Sequence, residues 1–68
     1  MFYTPLHFAV KFDRFSIIEL LIEKEANINC VDIERNTPLH YAIQSDNSEI
    51  VKYLLRNKAN IFKKNKYG

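Results

Sequence analysis

Thr4-Pro5-Leu6-His7-Phe8-Ala9 comes back, with only the aromatic residue changed, as Thr37-Pro38-Leu39-His40-Tyr41-Ala42, an offset of 33 residues. Carrying that register on from Thr4 against Thr37 gives eleven identical pairs out of thirty-two, among them Asp13/Asp46, Ile17/Ile50, Leu21/Leu54 and Ala26-Asn27-Ile28/Ala59-Asn60-Ile61. Other pairs keep their character, such as Val10/Ile43, Ile18/Val51 and Ile22/Leu55. What repeats is therefore an alternation of core and surface. A period of this size predicts a solenoid, whose units stack because none can bury its apolar face alone.

Within each unit the residues predict two helices. Thr4 is suited to accept a hydrogen bond from a free N–H of the first turn, and Pro5 at the first helical position gives up no bond the helix would use. Leu6, Ala9 and Val10 then share one helical face, and small Ala9 lets a neighbouring helix approach. Asp13 stops this helix, and Asp13 or one of its neighbours is expected to cap the next, from about 15 to 24, where Ile17, Ile18, Leu20, Leu21 and Ile22 form a broad apolar surface. Residues 31–36 lead to the second Thr-Pro as an extended loop or hairpin-like turn. The second unit repeats the plan near 38–45 and 48–56, with Asn47 or Ser48 as cap.

Thr-Pro-Leu-His-aromatic-Ala, followed by Ile-Ile or Ile-Val, a Leu-Leu or Leu-Ile pair and Ala-Asn-Ile, resembles the ankyrin repeat. The resemblance covers almost the whole chain: repeat one at about 1–31, repeat two at about 32–64, and the opening turn of a third at 65–68. It implies an all-α solenoid of stacked helix-turn-helix units joined by extended β-turn loops. The chain departs from the family where glycine is usual, carrying Asp13 and Asp46 between helices, Glu25 and Lys58 after the second helix, and Arg35 in the turn. A non-glycine residue at positive φ costs on the order of 1 kcal/mol. Two uncapped units, with Leu20, Ile22, Tyr53 and Leu55 as apolar helix surface lacking a neighbour, suggest a segment or remnant of a longer repeat protein.

Sixty-eight residues allow one small domain with a thin core. The 47% hydrophobic and 26% charged composition is that of a soluble globular chain. No apolar run reaches the roughly eighteen residues of a membrane span. Cys30 is the single cysteine, which excludes an internal disulfide and points to a reducing compartment, the cytoplasm of its own cell or of a host. The net charge of +2 hides a gradient: residues 1–34 carry three basic and six acidic side chains, and residues 35–68 seven basic and two acidic. Such a dipole can steer a partner or help two modules meet head to tail, so self-association through the uncapped ends is an expectation alongside solvated drift.

His7 and His40 are the first candidates for chemistry. They occupy equivalent places in stacked units, about 8–10 Å apart, whereas one zinc needs each imidazole at about 2 Å. The resemblance implies instead that each bonds to its Thr-Pro turn and the neighbouring backbone. No nucleophile–base pair, Cys/His cluster or phosphate loop is visible, so no enzyme, cofactor or metal is expected. Lys58, Lys63, Lys64 and Lys66, interleaved with Phe62 and Tyr67, could hold phosphates or an anionic surface, but a solvated end is the simpler reading, and nucleic acid is not the expected partner.

The expected function is protein–protein recognition, with a spacer in a longer solenoid as the alternative. Family resemblance implies that partners are read by turn tips and the exposed face of each first helix, here Tyr3, Lys11, Phe12, Ile33, Glu34, Asn36, Gln44, Ser45, Lys66 and Tyr67. Phe12 and Ile33 stand out as apolar residues where solvent is expected. Phe12 has the alternative of folding over Phe8 or Phe15, and Ile33 that of packing between turns.

Overall fold

The computed structural model describes residues 3–61 and 64, so the expectations placed on Phe62, Lys63, Lys66, Tyr67 and Gly68 lie outside the described residues. Four helices follow in order: α1 Pro5–Lys11, α2 Phe15–Glu23, α3 Pro38–Gln44 and α4 Ser48–Arg56. There is no strand among the described residues.

The repeated hexapeptide nucleates the first helix of each pair. Thr4 is extended at ψ 165°, and its hydroxyl accepts the His7 N–H at 3.3 Å while His7 Nδ1 takes the Thr4 N–H at 3.0 Å. Thr37 and His40 do the same at 3.3 and 2.8 Å. These are reciprocal capping boxes with histidine in the place usually held by Glu or Gln. Helices of seven residues are marginal in isolation, so both caps and packing are needed to hold them.

The second helices begin differently from one another. Asn47 Oδ1 caps α4 by accepting the Ile50 N–H at 3.1 Å. Asp13 does not cap α2: Arg14 stands at that position with no side-chain cap bond, and Asp13 Oδ1 instead accepts from Asn47 Nδ2 at 3.1 Å. The carboxylate is drawn to a donor in the next unit rather than to its own helix.

All five residues standing where glycine is usual adopt positive φ: Asp13 58°, Glu25 65°, Arg35 63°, Asp46 56° and Lys58 73°. Four of them end helices. After α1 the Arg14 N–H reaches Ala9 O at 2.8 Å and the Asp13 N–H reaches Val10 O at 3.2 Å; the ends of α2, α3 and α4 repeat this pair through Ala26, Asn47 and Ala59. This is the Schellman arrangement, which satisfies orphan carbonyls at the cost of one left-handed residue.

The core is one layer deep. Leu6, Ala9, Val10 and Ile18 of the first pair meet Leu39, Ala42, Ile50 and Leu54 of the second, with α1 packed on both α2 and α3, and α3 on α4. Ala9 and Ala42 are wholly buried, as close helix approach requires. Two of the four residues expected to lack a neighbour have one: Ile22 packs against this core, and so does Tyr53, whose ring lies 5.1 Å from that of Phe15. Leu20 and Leu55 remain exposed.

Candidate functional site

The link between the helix pairs is a tight hairpin turn. The Arg35 N–H bonds Asp32 O at 2.9 Å and the Asp32 N–H bonds Asn36 O at 3.2 Å, with left-handed Arg35 closing the loop. Asp32 Oδ1 accepts two further amides, Glu34 at 3.0 Å and Asn36 at 2.8 Å, an Asx arrangement that braces the turn from within. Its other oxygen, Oδ2, accepts the Tyr41 hydroxyl. Burial pushes the Asp32 carboxyl up, but the Tyr41 hydroxyl and the two amides outweigh it, holding the group below its ordinary value. Tyr41 shifts the complementary way: burial and then its bond to Asp32 push the phenol up to about 12.

On this braced base Ile33 is 80% exposed. It stands at the tip and does not pack between turns. Asn36 is the opposite case. It is buried, donating its N–H to Asp32 and accepting at its carbonyl from His7 Nε2 at 2.7 Å, so it supports the turn and is withdrawn from the surface. Because a carbonyl only accepts, His7 carries its proton on Nε2 and presents Nδ1 to Thr4. His7 is thereby committed on both ring nitrogens, Nδ1 to the cap of its own helix and Nε2 to the turn that leads into the second unit.

Tyr41 also connects the turn to the α1 surface. Its ring meets His7 edge-on at 5.6 Å and Tyr3 at 6.1 Å, and Tyr3 in turn stacks on His7 at 5.7 Å. Lys11 Nζ lies 6.0 Å from the Tyr41 ring and 5.8 Å from that of Phe12. Phe12 folds over Phe8 at 4.7 Å between centroids, as its local alternative anticipated, yet both rings stay about half exposed. Ile33 thus follows Asp32 in the turn, Tyr3 and Lys11 both meet the ring of the Tyr41 that Asp32 holds, and Phe12 joins this group through Lys11. Gln44 and Ser45 are exposed at the end of α3, where Ser45 is the C-cap residue, and Glu34 is half-buried in the turn. Lys66 and Tyr67 lie outside the described residues.

Cys30 is half-buried, its Sγ 3.3 Å from Thr4 Oγ1. Burial, only partly offset by that hydrogen bond, pushes the thiol up and away from the reactive thiolate. Sequence reasoning missed Asp32 and Tyr41 as the pair that positions the tip. The signal was present, since an Asp directly before an exposed turn residue is a frequent Asx brace, but its second oxygen finds Tyr41 only in three dimensions.

A family model described as "Ankyrin repeats (3 copies)" matches residues 2–65. No curated protein matches the chain.

Proposed function

This chain belongs to the ankyrin-repeat family, whose members are generally protein–protein interaction modules and typically not enzymes, and from that premise we propose that it binds a protein partner through Ile33 and through Lys11 and Phe12 at the end of α1. One observation carries the reading: Ile33 is 80% exposed on a turn that Asp32 braces through four hydrogen-bonded groups, namely the amides of Glu34 and Asn36, the Tyr41 hydroxyl and, through its own carbonyl, the Arg35 amide. An apolar anchor already held in place loses little entropy on binding, and such anchors dominate interface energies. Lys11 beside two aromatic rings favours a partner with an acidic or carbonyl-rich rim around an apolar pocket. No helix among the described residues is long and apolar enough to cross a membrane. The single, deactivated thiol fits a reducing compartment, and we place the module in a cytoplasm.

The test is partner capture with wild type, Ile33→Asp and Phe12→Asp, each checked by circular dichroism. Ile33→Asp, at an exposed tip, should leave stability within about 0.5 kcal/mol of wild type. Its affinity for the captured partner should fall by on the order of 2 kcal/mol, roughly thirtyfold. Equal retention of the same proteins by all three baits would remove this surface from recognition.

A further inference from the structure

The two helix pairs are copies offset by 33 residues, so the face that the first pair turns toward the second has a counterpart that the second turns to solvent. Burial records this position by position. Val10 is 0% exposed against the second pair, while its equivalent Ile43 is 59% exposed; Ile22 and Ile28 pack on the core, while Leu55 and Ile61 are open. The other end mirrors it. Ile50 is 0% exposed where Ile17 is 45%, and Tyr41 and Tyr53 are packed where Phe8 and Leu20 stand half exposed. Each outer face of the described helix pairs therefore matches one half of an interface that the chain already forms internally.

We propose that the Ile43–Leu55–Ile61 face receives the Phe8–Ile17–Leu20 face of a second copy of this chain, head to tail. Three observations favour a copy over another occupant. The side chains substitute in kind, Ile43 for Val10 and Leu55 for Ile22 on one side, Phe8 for Tyr41 and Leu20 for Tyr53 on the other, so apolar sets meet that already pack together within the chain. The charge gradient has the matching sense, residues 1–34 being net negative and residues 35–68 net positive, so opposite ends attract when copies align. The internal hydrogen bond from Asn47 to Asp13 becomes, at the new contact, a pairing of the second copy's Arg14 with Asp46, a charge-assisted version of the same bond. The contact is heterologous, so copies add in series, and the Ile33 tip, in the turn between the two helix pairs, is not part of it.

Sedimentation of the full chain over about a hundredfold range of concentration tests this, with circular dichroism on the same samples. Wild type should exceed the monomer mass and, by mass action, rise in weight-average mass with concentration across that range. Ile43→Arg and Leu20→Arg should each remain monomeric alone, because each breaks one face. Mixed in equal amounts they should form a dimer and nothing larger, because one intact face of each kind survives. Wild type that stays monomeric throughout, folded or not, overturns the proposal and leaves the faces to partners of other sequence. Self-association by Leu20→Arg alone also overturns it, in favour of a two-fold contact. Should either variant lose its helical signal, the wild-type mass profile alone decides.

Discussion

Tyr41 of α3 donates its hydroxyl hydrogen to Asp32, the residue immediately before the exposed Ile33, so the tip of the inter-unit turn is fastened to the second unit's first helix. The turn is thereby part of the stack. Asp32 serves two masters, its Oδ1 bracing the turn through the Glu34 and Asn36 amides and its Oδ2 bonding Tyr41. A change at either residue should be felt both in stability and at the tip.

The carboxylate makes stability depend on acid. Asp32 has a lower pKa folded than unfolded, so its contribution is fully present above the ordinary carboxylate range, about pH 4, and is lost as pH falls through the depressed value. Asp32→Asn should therefore be less stable than wild type at pH 7, by roughly 1–3 kcal/mol for the disrupted buried hydrogen bonds. The gap should narrow as the pH drops below about 4. Urea unfolding at a series of pH values measures both, and equal midpoints at pH 7 would show that the brace contributes nothing.

The phenol gives the alkaline counterpart. Tyr41 holds its proton more tightly folded than unfolded, with its pKa pushed up to about 12, so its stabilising contribution is complete below the unfolded value, about 10, and is lost as pH rises from there through the folded value. Phenolate absorbance should show a late-titrating component that Tyr41→Phe diminishes by one group, with Tyr3, also pushed up by burial and by Asp32, remaining. If the Tyr41→Phe titration superimposes on wild type apart from one fewer group of ordinary pKa, the bond to Asp32 is absent in solution.

The five left-handed residues are a reserve of stability. Glu25, Arg35 and Lys58 sit at φ 65°, 63° and 73°, where glycine avoids the Cβ clash at the cost of some unfolded-state entropy. Each replacement by glycine should raise stability by up to about 1 kcal/mol, seen as a higher urea midpoint, and the three should add because their sites are separate. Asp13 is a poorer choice, since it accepts a hydrogen bond from Asn47. A fall in midpoint at Arg35→Gly would mean that its side chain supports the turn.

Much of this molecule can be read from local sequence because its unit is local. The repeated hexapeptide contains its own cap, first helical proline, core leucine and reciprocal histidine within its first four residues, Thr-Pro-Leu-His, so two helix starts were determined without reference to anything distant. The glycine positions of the repeat likewise marked the five residues that take positive φ, because a Schellman end at four of them and the tight inter-unit turn at Arg35 demand that geometry whatever side chain occupies it. The apolar spacing that selected Leu6, Ala9 and Val10 as one face also needed only helical geometry.

Tertiary structure decided what those groups do for one another. Asp13 reads as a cap for α2, but a donor on Asn47, thirty-four residues away, takes its carboxylate. Asn36 reads as a surface turn residue, and it is buried because His7 of the first unit claims its carbonyl. Tyr53 reads as unpartnered until Phe15 crosses beneath it. Ile33 stays 80% exposed, so the same fold that buries Asp32 beside it leaves it at the tip. Helix caps and turns satisfy backbone groups within a few residues and are written in the sequence; which side chain reaches a donor, acceptor or ring in the next unit depends on how the two copies stack, and only the assembled core sets that distance.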